Sequence, residues 1–341
     1  TGMTSAAIVA GNTVVLKPSS QTPVMACVLS RFFRESGLPD GVLNILPGTG
    51  EKLGDALLKH PKVALVVFTG SKEVGLGLIR KGSHVYPGQR IIRRVIAELG
   101  GKNAIILDES GDPDQAVIGI TQSAFGYSGQ KCSAASRVIL LDTIYDQMLE
   151  RIVERARSLA VGPAEDPATT IGPLISEGQL RSVQAYVDLG KREAKLALEA
   201  PAPELAGNFM GPVVFYDVPP AARIAREEIF GPVLSILRAK DFDEAIAIAN
   251  ETEYALTAGL YSRTPSHIRQ FRREVEAGNR YINTKITGAV VERQPFGGYK
   301  LSGIGSKAGG AHYLNQFMIP ISVSENVTRH GFAPLSAEEI E

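Results

Sequence analysis

Tryptophan is absent from this 341-residue sequence, cysteine occurs only twice, and neither sign of charge is in excess. Two cysteines cannot build a disulfide framework in a chain of this size, so they suit a reducing compartment or a thiol kept for chemistry. Lys and Arg total 36, as do Asp and Glu, which leaves no global field to attract nucleic acid or an anionic membrane. No apolar run reaches the about 18 residues of a membrane span. We therefore expect no nucleic-acid partner and no membrane span.

The sequence also lacks an initiator Met and begins inside an apolar pattern, TGMTSAAIVAGN. We interpret it as a fragment or a trimmed chain. The absence of a targeting signal therefore carries little weight for localisation.

Strand-like runs alternate with helical runs through the first half. NTVVLKPS, GVLNILPG and KVALVVFTG are predicted strands, and the last has few charges, which suits burial on both faces. Helices are predicted from Thr22 to Gly37, over EKLGDALLKHP and from near Ser71. Cys27 falls on the apolar side of the first helix, so core packing is expected for it. The alternation predicts an α/β fold with a parallel sheet.

The second half continues in the same style. Amphipathic helices are predicted over TIYDQMLERIVERARSLAVG and SEGQLRSVQAYVDLGKREA, and a further helix over DFDEAIAIANETEY. FMGPVVFYDVPP, GPVLSILRA and TAGLYSRT are predicted strands. The tail NQFMIPISVSENVTRHGF predicts a long alternating strand without an obvious partner in its own domain, and an open edge of this kind invites another subunit.

The second cysteine lies in an unusual loop, FGYSGQKCSAASR. Small and polar residues around Cys132 favour an accessible nucleophile, and a following helix would present backbone N–H groups that lower the thiol pKa and hold an oxyanion. A buried structural cysteine is the alternative. None of the five histidines lies in an evident catalytic loop, so a Cys–His pair is poorly supported.

Glu98 is the best candidate for a base. It ends an apolar strand and is followed by Gly100 and Gly101, which predicts a carboxyl group at the carboxyl edge of a parallel sheet beside a pocket. Partial desolvation there would raise its pKa and let it activate water. A solvated Glu at a strand end is an equally good interpretation from the local sequence.

Six segments together resemble the aldehyde dehydrogenase superfamily: VLKPSSQTP, FTGSKEVG, ELGGKN, GQKCSAASR, EEIFGPV and PFGGYKLSG. They occur in that family's order, and the resemblance runs from the first residue to about Asn326. It implies a partial Rossmann-type cofactor domain over 1–99, an α/β catalytic domain over 100–315, and an oligomerisation strand and tail over 316–341. It also implies a homo-oligomer in the cytoplasm, or in the mitochondrial matrix of a eukaryote.

The resemblance implies a mechanism as well. Cys132 attacks an aldehyde, hydride leaves to a nicotinamide, and Glu98 activates water to hydrolyse the thioester, while the N–H of Cys132 holds the oxyanion. No metal ligand is implied. The family's oxyanion-hole asparagine belongs to a segment that precedes the first residue. Losing such a donor typically costs about 3 kcal/mol of transition-state stabilisation, so we expect the 341 residues alone to turn over poorly.

The resemblance assigns NAD as the cofactor. Lys17 would bind the adenosine ribose, and Gly70 and Ser71 would present a helix N-terminus to the pyrophosphate. Ser20 stands where NAD-preferring relatives often carry Glu, which leaves NADP open. Each position also has an ordinary structural interpretation, such as a surface lysine or a core aromatic. The further cofactor-binding positions implied are Phe68, Gly75, Leu99, Glu228 (nicotinamide ribose) and Phe230 (nicotinamide ring).

Within the family, the resemblance is greatest to the 1-pyrroline-5-carboxylate dehydrogenases, which oxidise L-glutamate γ-semialdehyde to glutamate in proline and arginine catabolism. It implies that Ser133 and the N–H groups of Gly288 and Ala289 bind the substrate carboxylate, and that Phe296 forms a wall of the site. An unliganded flexible loop is the alternative there. Lys285 and Glu292 occupy positions where small residues or Arg are more familiar.

Three other functions stay open from the sequence. They are a dehydrogenase for another aldehyde, a cofactor-independent cysteine hydrolase using Cys132 and Glu98, and an inactive remnant that only binds nucleotide.

Overall fold

The computed structural model describes residues 1–326 and has an α/β architecture. Its helices are α1 (Gly2–Val9), α2 (Pro23–Glu35), α3 (Gly50–Lys59), α4 (Lys72–Gly82), α5 (Pro113–Phe125), α6 (Tyr145–Arg157), α7 (Glu177–Glu193), α8 (Arg223–Arg226), α9 (Phe242–Asn250) and α10 (Pro265–Glu274). Short 3₁₀ turns cover Gly126–Gly129, Asp142–Ile144 and Leu314–Phe317. Within these residues, no helix combines the length and apolar character needed to cross a membrane.

The strands alternate with these helices, as the sequence predicts. They are β1 (Val14–Leu16), β2 (Leu43–Ile45), β3 (Leu65–Thr69), β4 (Arg94–Glu98), β5 (Asn103–Leu107), β6 (Ala135–Leu141), β7 (Lys195–Glu199), β8 (Val213–Tyr216), β9 (Val233–Ala239), β10 (Tyr254–Ala255), β11 (Thr257–Tyr261), β12 (Asn279–Ile282), β13 (Tyr299–Lys300) and β14 (Gly303–Ile304).

The largest sheet has the order β12-β11-β5-β6-β9-β8-β7 and is parallel except for the β7–β8 pair. Its side chains alternate between two apolar cores: Ile105 and Leu107 of β5 pack with α5 and α6, whereas Ile106 packs with α9 and α10. Burial on both faces explains why β5 reads as an unbroken apolar run. The predicted α/β class is confirmed.

Two smaller sheets belong to the first hundred residues. β1 pairs with β2 in parallel, and β3 pairs with β4 in parallel through Thr69 and Glu98. The far segment β14 adds to β4 in antiparallel fashion, with Gly303 opposite Glu98. The sequence-based domain boundaries stay predictions, but this pairing ties residues 303–304 to the end of β4.

Two sequence-based expectations about burial were wrong. Cys27 is exposed rather than packed in a core, and in α2 only Ala26 is buried while Val24 and Phe32 lie open. The apolar spacing identified a stripe, but which face of a helix is covered depends on what packs against it. β3 is half-buried along most of its length rather than buried on both faces.

The predicted tail strand does not form in the described residues. A 3₁₀ turn ends at Phe317, and residues 318–326 have no strand pairing. Ile319, Ile321 and Val323 are largely exposed, because an extended segment needs a neighbouring edge to become a strand. The rest of the predicted strand lies outside the described residues.

A buried carboxylate joins β5 to β11 and α10. Asp108 follows β5 and accepts hydrogen bonds from Ser110 (2.7 Å), Ser262 and His267 (2.7 Å), with further bonds from backbone N–H groups. Burial alone would raise the pKa of Asp108, but the donors of Ser110, Ser262 and His267 outweigh it and lower the pKa. The folded state therefore favours the ionised form of Asp108.

We expect Asp108→Ala to lower the free energy of unfolding by about 2–4 kcal/mol, because it leaves several buried donors unpaired. The pKa of Asp108 is lower in the folded state than in the unfolded state. The loss in free energy of unfolding is therefore complete above about pH 4 and shrinks as the pH falls through the folded-state pKa. Chemical denaturation at several pH values measures it. The exposed neighbour substitution Glu109→Ala is the control, and equal losses for both variants would contradict the role of Asp108.

Candidate active site

The cysteine loop is held by one asparagine side chain. Cys132 lies in a turn directly before β6, and the amide of Asn103 donates to the carbonyl oxygens of Cys132 (2.7 Å) and Ala134 (2.8 Å). The amide oxygen of Asn103 accepts from the N–H of Thr257 at 3.0 Å. Three neighbouring strands, β5, β6 and β11, thus fix the position of the thiol. The expected helix after Cys132 is wrong, because β6 follows the turn instead.

The segment before Cys132 is strained. Tyr127 and Ser128 have φ values of 58° and 57°, and Gly129 has 66°. The Ser128 hydroxyl donates to the carbonyl of Gly172 at 2.8 Å, and a Cβ on Gly129 would lie 2.2 Å from the carbonyl oxygen of Gly231. Left-handed conformations at non-glycine residues cluster at functional sites, where packing maintains them. The loop therefore packs closely against the segment that follows Glu228.

The Cys132 thiol is neutral at physiological pH. Burial raises its pKa to about 11, and the nearby carboxyl groups of Glu98 and Glu228 raise it further, while the N–H groups of Cys132 and Ser133 lower it. The expectation of a lowered pKa was thus wrong, because desolvation outweighs the two backbone donors. The same N–H groups face the sulfur.

Glu98 ends β4 next to this thiol. Its Oε2 atom is buried without a hydrogen-bond partner among the described residues. Burial raises the pKa of Glu98 to about 7, and the positive charge of Lys307 opposes that rise. The position of Glu98 at the carboxyl end of β4 and its raised pKa agree with the expectation from the sequence. A carboxyl group of this pKa exchanges protons readily near neutral pH.

The connection between β4 and β5 brings a second carboxyl group to the site. The N–H of Gly101 donates to Oε1 of Glu228 at 3.1 Å, and a Cβ on Gly100 would lie 2.2 Å from Oε2 of the same carboxyl. Burial raises the pKa of Glu228. Phe230, two residues on, has a φ of 58° and is 39% exposed, and the amide of Gln179 donates to its carbonyl at 2.9 Å. Cys132, Glu98 and Glu228 therefore lie close together, and Phe230 follows Glu228 by two residues.

The β3–α4 junction lies beside Glu98. The N–H of Gly70 donates to the backbone carbonyl of Glu98 at 3.1 Å, and Ser71 caps α4 by accepting from the N–H of Val74. A Cβ on Gly70 would lie 2.4 Å from the Phe68 ring, and one on Gly75 would lie 2.3 Å from Leu99. Close packing therefore holds the first turn of α4 at the carboxyl ends of β3 and β4, where free helical N–H groups can donate hydrogen bonds to an anion.

Lys17 and Ser20 stand apart from this cluster. Lys17 follows β1, and its ammonium donates to the carbonyls of Pro18 (2.6 Å) and Gly48 (3.4 Å), while Ser20 is exposed. Within residues 1–326, no hydrogen bond or ion pair joins either residue to the Cys132 cluster.

The loop before β13 presents unused donors. Gly288 has a φ of 84°, and the N–H groups of Gly288 and Ala289 donate no hydrogen bond within the described residues. The hydroxyl of the buried Ser133 is likewise uncommitted there, although its carbonyl accepts from Thr257 at 3.3 Å. Phe296 exchanges backbone hydrogen bonds with Ala308 at 2.9 and 2.7 Å. Hydroxyl and free N–H groups are the kinds of donor that bind a carboxylate.

Sequence reasoning missed two side chains that shape the site. Asn103 lies in the ELGGKN motif and Lys307 follows PFGGYKLSG by several residues, but neither carries a local pattern that reveals its contacts. Both act on residues distant in sequence: Asn103 on Cys132 and Lys307 on Glu98.

Comparison with known proteins shows which families and proteins this chain resembles. The profile described as the aldehyde dehydrogenase family matches residues 1–323. A curated 1-pyrroline-5-carboxylate dehydrogenase of Geobacillus thermodenitrificans is 47% identical over 324 residues, covering 95% of this chain and 63% of the relative. This chain therefore spans about 63% of the length of this relative and of two other curated relatives of the same name.

Two solved structures are also similar. Proline utilization A from Bdellovibrio bacteriovorus, inactivated by N-propargylglycine, has a TM-score of 0.95 and 49% identity, covering 98% of this chain and 35% of the other. A 1-pyrroline-5-carboxylate dehydrogenase from Thermus with bound NAD has a TM-score of 0.89 and 48% identity, covering 92% of this chain and 62% of the other.

We expect iodoacetamide to alkylate the exposed Cys27 faster than Cys132 at pH 7, because burial and two carboxyl groups keep the Cys132 thiol protonated. Mass spectrometry of the two cysteine peptides measures both rates, and Cys27 serves as the internal control. Faster labelling of Cys132 than Cys27 in the wild-type protein would contradict this account.

Proposed function

Because the chain belongs to the aldehyde dehydrogenase family, we propose that it oxidises L-glutamate γ-semialdehyde to L-glutamate with NAD, as a step of proline catabolism. The single observation that carries this proposal is the grouping of Cys132, Glu98 and Glu228 around the Gly100–Gly101 connection. The substrate is supported by the similarity to proteins named 1-pyrroline-5-carboxylate dehydrogenase.

Cys132 is the proposed nucleophile. Its sulfur attacks the aldehyde carbon, the thiol proton passes to Glu98 and on to solvent, and the N–H of Cys132 stabilises the oxyanion. The raised pKa of the thiol means that this attack needs a base. The carboxyl group of Glu98 is close enough to the thiol to affect its pKa.

The residues present fit NAD. Gly70 and Gly75 leave no space for a Cβ and hold the first turn of α4 against Phe68 and Leu99, which suits a pyrophosphate. Glu228 lies near the thiol and is assigned to the nicotinamide ribose. We assign the nicotinamide ring to Phe230, two residues on, and the adenosine ribose to Lys17 and Ser20. When bound, NAD supplies the acceptor for the hydride that leaves the aldehyde carbon.

Glu98 is the proposed base for hydrolysis. After oxidation the acyl group remains on Cys132 as a thioester. The Glu98 carboxylate takes a proton from water, the hydroxide oxygen bonds to the acyl carbon, and the Cys132 sulfur leaves to regain a proton. A pKa of about 7 leaves a large ionised fraction at neutral pH, while burial keeps the carboxylate basic.

We assign recognition of the substrate carboxylate to Ser133, Gly288 and Ala289, and a wall of the site to Phe296. The uncommitted hydroxyl and N–H groups support this assignment. We further propose residues 1–99 as cofactor domain, 100–315 as catalytic domain and 316–341 as an oligomerisation segment in a cytoplasmic homo-oligomer. The exposed, alternating Ile319, Ile321 and Val323 support oligomerisation, and two unpaired cysteines suit a reducing compartment.

In the full-length protein, we expect NADH formation with glutamate semialdehyde to exceed that with aliphatic aldehydes. Cys132→Ala should lower kcat at least about a thousandfold, and Glu98→Gln should lower it about a hundredfold or more with thioester accumulating. Cys27→Ala is the matched control and should keep wild-type turnover. Turnover of Cys132→Ala at the wild-type rate would remove the mechanism.

We expect Ser133→Ala to lower kcat/KM for glutamate semialdehyde about 10–100-fold, because a hydrogen bond to a charged group is worth about 1.5–3 kcal/mol. The value for pentanal, which lacks a carboxylate, should change little. Ser136→Ala is the control, since its hydroxyl already donates to the Asn103 carbonyl at 3.5 Å. Equal losses for both aldehydes would argue against carboxylate recognition by Ser133.

A further inference from the structure

Lys307 is a half-buried lysine whose ammonium is surrounded by neutral oxygens. It donates to the backbone carbonyl of Gly278, to the carbonyl of Gly297 at 3.0 Å and to Oδ1 of Asn279 at 3.1 Å. No carboxylate forms an ion pair with it in the part of the chain that the structure describes. Three fixed acceptors saturate the three N–H bonds of an ammonium, so this charge cannot move freely.

A single glycine separates Lys307 from Glu98. A Cβ on Gly297 would lie 2.8 Å from Oε1 of Glu98 and 3.5 Å from Cα of Lys307. The Gly297 peptide is therefore packed between the two residues, and its carbonyl binds the ammonium. Oε2 of Glu98 has no hydrogen-bond partner among the described residues, so Lys307 acts on this carboxyl through its field.

Two other titratable groups that face this pair are neutral, and a third, Arg280, makes its hydrogen bonds elsewhere. The thiol of Cys132 and the hydroxyl of Tyr313 interact with Glu98, and both have raised pKa values, so neither carries charge at pH 7. Arg280 repels Lys307 and binds the carbonyls of Ala277 and Arg272. Lys307 is thus the cation whose charge opposes the burial of Glu98.

We propose that Lys307 is a positioning residue for Glu98: held behind Gly297, its ammonium keeps a fixed positive charge beside the carboxyl group and favours the ionised form that accepts a proton. The inference rests on the proposed function, because it concerns the base of that reaction. It adds to that function that Lys307, which does not contact the thiol, sets the pH range over which hydrolysis proceeds.

The sign of the pH effect follows from the two opposing causes. Burial raises the pKa of Glu98 and Lys307 lowers it, which together give about 7. Without the ammonium, burial acts unopposed and the pKa rises further. Glu98 must be ionised to accept a proton, so a variant without this charge loses activity at neutral pH and regains it as pH rises.

The test compares Lys307→Met and Lys307→Gln, which remove the charge, with Lys307→Arg, which keeps it. In the full-length protein, we expect the midpoint of the pH–rate profile for thioester hydrolysis to move about one unit upward in the Met and Gln variants. Their rate at pH 7 should fall about five- to tenfold and recover at high pH. The Arg variant should keep the wild-type midpoint, and Lys240→Met, at an exposed site, is the control.

A purely structural role would lower the rate equally at every pH and leave the midpoint unchanged, which would overturn the proposal. A ¹³C NMR titration of the Glu98 carboxyl, identified by its loss in Glu98→Gln, gives a readout without turnover. An upward shift of that titration in the Met or Gln variant supports the proposal, and an unchanged titration overturns it. Wild-type protein without NADH formation would instead reject the proposed function, so the two failures are distinguishable.

Discussion

The site depends on the absence of side chains at Gly100 and Gly101, between β4 and β5. At Gly100 a Cβ would overlap the Glu228 carboxyl, and at Gly101 it would approach the Cys132 carbonyl to 2.7 Å. This connection therefore lets two carboxyl groups and the cysteine turn converge from three separate segments. The N–H of Gly101 adds a donor to Glu228, which a bulkier neighbour would displace.

Burial of ionisable groups sets the chemistry at this point. Desolvation raises the pKa values of Cys132, Glu98 and Glu228 together, and the two carboxyl groups reinforce the effect on the thiol. The positive charge of Lys307 opposes the rise in the pKa of Glu98, and Lys102 and Lys72 oppose the rise in the pKa of Glu228. The result is a weakly acidic thiol beside a carboxyl group that titrates near neutrality, an acid–base combination that water-exposed side chains do not provide.

Sequence patterns predicted an element correctly where the spacing of apolar and turn residues within that element is enough to specify it. Strong turn residues and apolar periodicity marked α4 and β9 correctly, and Glu98 was placed at a strand end from its neighbours alone. The same reasoning failed for α2 and for the segment after Phe317. A stripe containing Cys27 or Ile321 becomes a core or a strand only when another element lies against it, and periodicity carries no information about that partner.

The sequence by itself determined the α/β class, the order of the elements and the candidate site residues, because these depend on local spacing and on motifs such as ELGGKN and GQKCSAASR. Only the tertiary structure decided the charge states. Whether Cys132 is a thiolate depends on its depth and on Glu98 and Glu228, which are 34 and 96 positions away. Whether Glu98 is ionised depends on Lys307, more than 200 positions further along, because electrostatic energies follow distance in space and local dielectric rather than separation in sequence.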